Sequence, residues 1–147
     1  MPLSEGIYQP DLECMQREAL TAWQLERLRS TIAHIAIQNP EYHRKLDSVD
    51  ASEMRTLDNL RSVPLTVKND LRDAYPMRYL CCKPEEVERV QLSSGTTGQP
   101  VVCPYTERDI RGWKEIMGRC LYVAGTRRGD ILQVTAPYGL MNGGWGF

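Results

Sequence analysis

The residues of this chain best suited to chemistry stand together in QLSSGTTGQPVV, residues 91–102, where seven small or polar residues, Ser93 to Gln99, separate two short apolar runs. A hairpin closes with two to five residues at less ordering of chain. This longer loop carries two glycines and four hydroxyls and no charge. Successive N–H groups of such a loop can converge on one concavity, with hydroxyls as further donors to phosphate oxygens. Gly95 and Gly98 supply backbone conformations costly for other residues, and Pro100 fixes the exit. The loop is neither G-x-x-x-x-G-K-[ST] nor G-x-G-x-x-G. Composition alone leaves a polyphosphate cradle and a plain polar surface loop both open.

The flanking segments predict what holds the loop. Val90 and Leu92 alternate with Arg89 and Gln91 before it, and Val101, Cys103 and Tyr105 alternate after it, so two strands form a hairpin. Thr106-Glu107-Arg108-Asp109 reads as a capping box for a helix whose Ile110, Trp113, Met117, Cys120, Leu121 and Ala124 share a face. Gly125 ends that helix, Gly129-Asp130 turns the chain, and ILQVTA predicts a third strand with Leu132, Val134 and Ala136 on one side.

Upstream, Ala22, Leu25, Leu28, Ile32, Ile35 and Ala36 form a helical stripe between about Leu12 and Gln38, stopped by Asn39-Pro40. In VPLTVKNDLRDAYP, Thr66 is the expected N-cap of a short helix that Pro76 ends, with Lys68, Asp70, Arg72 and Asp73 as a solvated face of helix-spaced pairs. The expected class is α/β. Residues 1–86 are mainly helical, and residues 87–147 carry the hairpin, helix and strand.

The bulk properties exclude several functions. The chain has 147 residues, 41% hydrophobic and 25% charged, with a formal net charge of -1. That is an ordinary globular composition with no global attraction to nucleic acid or an anionic membrane. The start lacks the pattern of a secretory signal and no segment reaches membrane-spanning length, so the cytoplasm is expected. Cys14, Cys81, Cys82, Cys103 and Cys120 form no C-x-x-C pair and are expected as reduced thiols; with His34 and His43 they give no metal-ligand spacing.

The string Ser93-Ser94-Gly95-Thr96-Thr97-Gly98-Gln99-Pro100 resembles the signature loop of the adenylate-forming (AMP-binding) enzymes, S-S-G-T-T-G-K-P. With VPLTVKNDLRDAYP, YTERDI and RRGDILQVTAPYGLMNGGWGF in the same order and spacing, the chain from about Tyr8 is similar to the first third of phenylacetate-CoA ligases. The resemblance implies an incomplete N-terminal part of an adenylation domain, over residues 1–147. It implies ATP, Mg and coenzyme A, a small aryl or arylacetic acid as substrate, and a homodimer for the full-length form.

In that reading Ser93 and Ser94 anchor the loop, and Gly95, Thr96, Thr97 and Gly98 meet the β- and γ-phosphates. Gln99 replaces the usual lysine and leaves a neutral donor. Tyr138, Met141, Gly143 and Gly144 correspond to residues of Y-G-L-F-T-G-G that shape the acyl pocket, with Met141 in place of Phe. The motifs that the family places later, including the acidic Mg-binding residue and the catalytic lysine, have no counterpart here. No catalytic residue and no metal ligand is therefore assigned, and the chain alone is expected to be inactive. Two alternatives stand beside this reading: a non-catalytic module binding nucleotide or a partner, and an adenylating enzyme that loads a carrier-protein thiol.

Overall fold

A computed structural model describes residues 6–93, 95, 98–136, 138–140 and 146. Five helices and one hairpin follow in the order α1 (Pro10–Glu13), α2 (Arg17–Gln38), α3 (Pro40–Lys45), α4 (Lys68–Asp73), β1 (Val87–Leu92), β2 (Val102–Thr106) and α5 (Glu107–Val123), with short 3-10 turns between α3 and α4 and before β1. The chain divides into two units, Gln16–Pro84 and Met1–Met15 with Glu85–Phe147.

In the helical unit, α2 turns Leu25, Leu28, Ile32, Ile35 and Ala36 onto a small core centred on buried Ile32, Leu46 and Met54. The expected stripe is present except that Ala22 is exposed. Pro40 cannot donate an N–H to continue α2, yet its fixed φ suits the first turn of a new helix, so the stop at Asn39-Pro40 is also the start of α3. Asn39 serves both ends. Its Oδ1 accepts from the N–H groups of Glu41 (2.9 Å) and Tyr42 (3.2 Å), while its Nδ2 donates to the carbonyls of Arg78 (2.8 Å) and Leu80 (2.9 Å). At 3% exposure it is a buried polar clamp fixing a stretch some forty residues away.

Two expectations for this unit are corrected. The N-cap of α4 is Val67 rather than Thr66, because Asp70 reaches back to accept from the Val67 N–H at 3.1 Å and so fixes the first turn. Asp70 is also not part of a helix-spaced pair: its carboxylate meets the Lys45 ammonium of α3.

In the other unit the hairpin is antiparallel, with Arg89 opposite Tyr105, Val90 opposite Pro104, Gln91 opposite Cys103 and Leu92 opposite Val102. A bulge lies between Val87 and Arg89. This register puts the polar set of β1 on the same face as the apolar set of β2, since directly opposed side chains point the same way. Gln91 is 1% exposed and its neighbour Val90 is 41% exposed, the reverse of what hydrophobic alternation suggests.

The capping box forms: the Thr106 Oγ1 accepts from the Asp109 N–H at 3.3 Å, and Asp109 Oδ2 accepts from the Thr106 N–H at 2.8 Å. The Tyr105 and Trp113 rings stand 5.2 Å apart, so the Tyr105 face of the hairpin looks toward α5. At the far end of α5, Gly118 admits the Tyr8 ring; a Cβ there would come within 2.9 Å of the Tyr8 hydroxyl. Gln9 and Glu13 of the α1 region both face Arg119. Cys120, expected on the inward face of α5, is exposed.

The expected third strand is absent. Residues 131–136 have no strand geometry, and Ile131 is 99% exposed. A strand is defined by ladder bonds to a neighbour, and among the described residues β1 and β2 pair only with each other.

Candidate phosphate-loop site

The hairpin ladder continues into the loop by a change of partner. The Ser93 N–H donates to the Val101 carbonyl at 2.9 Å, and the Val101 N–H donates to the Ser93 side-chain oxygen at 2.8 Å. The hydroxyl takes the place of a ladder carbonyl, so the loop is pinned at its base by the first of its serines. Val101 is itself buried and holds the returning strand.

Above that base the backbone turns in ways that need glycine. Gly95 has φ +63°, and a Cβ there would lie 3.2 Å from the Gly98 carbonyl and 3.4 Å from Pro100. Gly98 has φ +130° and its N–H donates to the Gly95 carbonyl at 3.1 Å. Both glycines thus stand in conformations that bend the chain, and Pro100 lies close to Gly95. Gln99 is exposed. Ser94, Thr96 and Thr97 lie outside the described residues.

Residues 138–140, the described part of the segment expected to shape an acyl pocket, lie beside the base of the loop. The Leu92 N–H, on the last residue of β1, donates to the Leu140 carbonyl at 2.6 Å. Tyr138, two residues before Leu140, is 57% exposed. The structure thus brings residues 138–140 beside the strand end that launches the loop, a juxtaposition no sequence spacing indicated. Met141, Gly143 and Gly144 lie outside the described residues. Gly146 is near the ring of Trp113, 3.6 Å from where its Cβ would stand.

The buried amide of Gln91 is the other feature that sequence reasoning missed. The signal was the polar residue in a strand otherwise read by its Val and Leu. Arg89 and Gln91 both lie on the face of Cys103 and Tyr105, and burial raises the Tyr105 hydroxyl above its ordinary value. No group of three or more His, Cys, Asp or Glu side chains able to hold a metal ion occurs among the described residues. Among them, no helix is long and apolar enough to cross a membrane.

The arrangement can do one thing directly: present a short, glycine-bent, hydroxyl-rich loop at the open end of a hairpin, next to a second segment tied to the same strand. A loop of this composition suits anionic oxygens where its free N–H groups converge.

Comparison with known proteins bears on what that anion is. No family model matches the chain. The sequence is 44% identical to the phenylacetate-coenzyme A ligase of Thermus thermophilus, over 95% of this chain and 32% of that protein. It is 41% identical to the Escherichia coli phenylacetate-coenzyme A ligase over 92% of this chain and 31% of that protein, and 40% identical to that of Pseudomonas putida over the same shares. The fold matches a 2-hydroxyisobutyryl-CoA ligase crystallised with 2-HIB-AMP and CoA, at TM-score 0.88 and 28% identity, over 99% of this chain and 32% of that one. An open conformation of the same ligase matches at TM-score 0.87 and 27% identity, over 99% of this chain and 35% of that one. The relationship read from SSGTTGQP therefore extends along nearly the whole chain, which is homologous to the phenylacetate-CoA ligases. It spans about a third of the length of the relatives it matches.

Proposed function

We propose that this chain forms the phosphate-loop part of an AMP-forming acid–coenzyme A ligase. In the proposed reaction a carboxylate oxygen of an aryl or arylacetic acid attacks the α-phosphorus of ATP. The bond to the leaving pyrophosphate breaks, and the acyl group of the adenylate then passes to the thiol of coenzyme A with release of AMP. The observation that supports this reading is the hydrogen bond from Leu92 to Leu140, which holds residues 138–140 at the root of the SSGTTGQP loop. A loop for phosphate and a segment for the acid are needed within one reaction's reach.

In this reading Ser93 and Ser94 hold the base of the loop. The Gly95 amide with Thr96 and Thr97 meets the β- and γ-phosphates and stabilises the charge that develops as pyrophosphate leaves. Gly98, whose N–H closes on the Gly95 carbonyl, sets the loop's bend first and acts as a phosphate donor only by exchanging that bond. Gln99 offers a neutral donor where a cation would bind more strongly. Tyr138, Met141, Gly143 and Gly144 border the acid. The described residues offer no carboxylate cluster for magnesium, so no residue here is assigned to it. Coenzyme A is preferred over a carrier-protein thiol because the matching ligase structures hold CoA and an acyl-adenylate. The cytoplasm is the proposed compartment, where ATP and coenzyme A are both present.

The aryl class follows the homologues, which are phenylacetate ligases at 38–44% identity. Titration of the purified chain with phenylacetate and with 2-hydroxyisobutyrate, in the presence of ATP and read by saturation-transfer NMR, tests it. Phenylacetate is expected to bind more tightly; preference for the hydroxy acid contradicts the aryl assignment. Incubation with ATP, magnesium, coenzyme A and phenylacetate is expected to give no steady acyl-CoA formation by the 147 residues, and steady turnover would overturn their proposed inactivity in isolation.

A further inference from the structure

Gln91 stands one residue before the end of β1 and two before Ser93, which pins the loop. Its side chain is 1% exposed, and among the described residues neither its Oε1 nor its Nε2 meets a hydrogen-bond partner. The alternation of β1 places it with Cys103, directly opposite, and with Tyr105, on the hairpin face turned toward α5. A methionine of the same length would fill that layer without desolvating an amide. Val90, the apolar neighbour that would suit the interior, is instead 41% exposed. A buried donor and acceptor kept against the packing preference of their surroundings mark places where stability has been given up for function.

We infer that Gln91 is a positioning residue for the phosphate loop, its carboxamide holding the loop's base from beneath through a buried, water-bridged hydrogen bond. The inference rests on the phosphate-loop reading above. Buried waters make two to four bonds to otherwise unmet polar groups, and a carboxamide supplies both an acceptor and donors for one. Ser93, two residues along the same strand direction, is the nearest loop residue that such a bridge can steady, and its hydroxyl already sets the spacing of the returning strand. Gln91 touches no phosphate in this scheme. It acts through the loop.

The test pairs stability with anion binding in the 147-residue chain, using tripolyphosphate followed by phosphorus NMR as the probe. Gln91→Met is expected to melt at the same temperature as the unchanged chain or a few degrees above it, because an amide has left the interior. It is also expected to bind tripolyphosphate about tenfold more weakly, the change that losing one well-placed hydrogen bond produces. Gln91→Leu, a second apolar substitution, guards against a misfit peculiar to methionine. Undiminished binding in either folded variant overturns the inference, as does a lower melting temperature in both, which would make Gln91 a packing residue. If the unchanged chain does not bind tripolyphosphate, the phosphate-loop reading falls and this inference with it.

Discussion

In the helical unit Ile32, Leu46, Met54 and Ala74 are withdrawn from water, and the buried carboxamide of Asn39 has every bond it can use: two to α3 and two to Arg78 and Leu80. In the hairpin unit Val101 and Ile110 are buried, but so is the Gln91 amide, whose Oε1 and Nε2 meet no partner among the described residues, next to the exposed Val90. The first unit gives its buried carboxamide four partners. The second gives its own none among the described residues, beside the SSGTTGQP loop. Such local conflict is tolerated where the chain must present groups to a ligand rather than only pack.

Substitutions sharpen this contrast in order of their expected effect on stability. Ile32→Ala should cost the helical unit about 2–4 kcal/mol, read as a fall in denaturant midpoint, since it empties the centre of the apolar cluster formed with Leu46 and Met54. An effect under about 0.5 kcal/mol would mean the cluster is not a core. Asn39→Ala should cost about 1–2 kcal/mol, because it removes the cap of α3 and takes the Asn39 donor from the carbonyls of Arg78 and Leu80 together. Protease cleavage between Arg78 and Leu80 should accelerate in that variant. An unchanged cleavage rate would show that the clamp does not hold that stretch.

Gln99→Lys lies on the exposed face of the loop and should leave melting unchanged while tightening tripolyphosphate binding several-fold, since a cation replaces a neutral donor. Equal affinity would remove Gln99 from the phosphate contacts.

The smallest effect concerns pH. The Lys45 hydrogen bond holds the Asp70 carboxyl below its ordinary value, and the bond to Asp70 raises Lys45 above its own. A depressed carboxylate contributes stability that is present above its ordinary pKa, about 4, and lost as pH falls through the folded value. A raised lysine contributes below its ordinary pKa, about 10, and loses that contribution as pH rises through the folded value. Melting of the chain should therefore be flat in this respect at neutral pH and fall at both extremes. Asp70→Asn should shallow both limbs, and identical acid and alkaline limbs in the variant would show that the pair contributes nothing.

How legible these features were depends on how local they are. The stripe of α2, its stop at Asn39-Pro40 and the Thr106–Asp109 capping box are set by residues within a turn or two of one another, and, Ala22 apart, all three appear where the spacing puts them. The second role of Asn39 was not legible because Arg78 and Leu80 lie far along the chain. The face of β1 was not legible either. Both alternating sets of a hairpin fit a pleated strand, and the register with its bulge, not the hydrophobicity of Val90 and Leu92, chose Gln91 for the interior. Residues 131–136 read as a strand by pattern, but pairing is a property of two strands and the pattern shows one. The loop was legible as a motif. Its attachment to residues 138–140 through Leu92 and Leu140 was not, since that bond joins backbone atoms of any sequence.

The central claim, that the bent loop is an anion cradle, is tested most directly at Gly95, where φ is +63° and a Cβ would meet the Gly98 carbonyl at 3.2 Å. The measurement is tripolyphosphate binding by phosphorus NMR to the unchanged chain and to Gly95→Ala, with melting recorded for both. The account predicts that the unchanged chain binds, and that Gly95→Ala melts within a few degrees of it but loses most of its affinity, because strain of about 1–2 kcal/mol falls on the loop's bend alone. Equal binding by a folded Gly95→Ala chain, or no binding by the unchanged one, would contradict it.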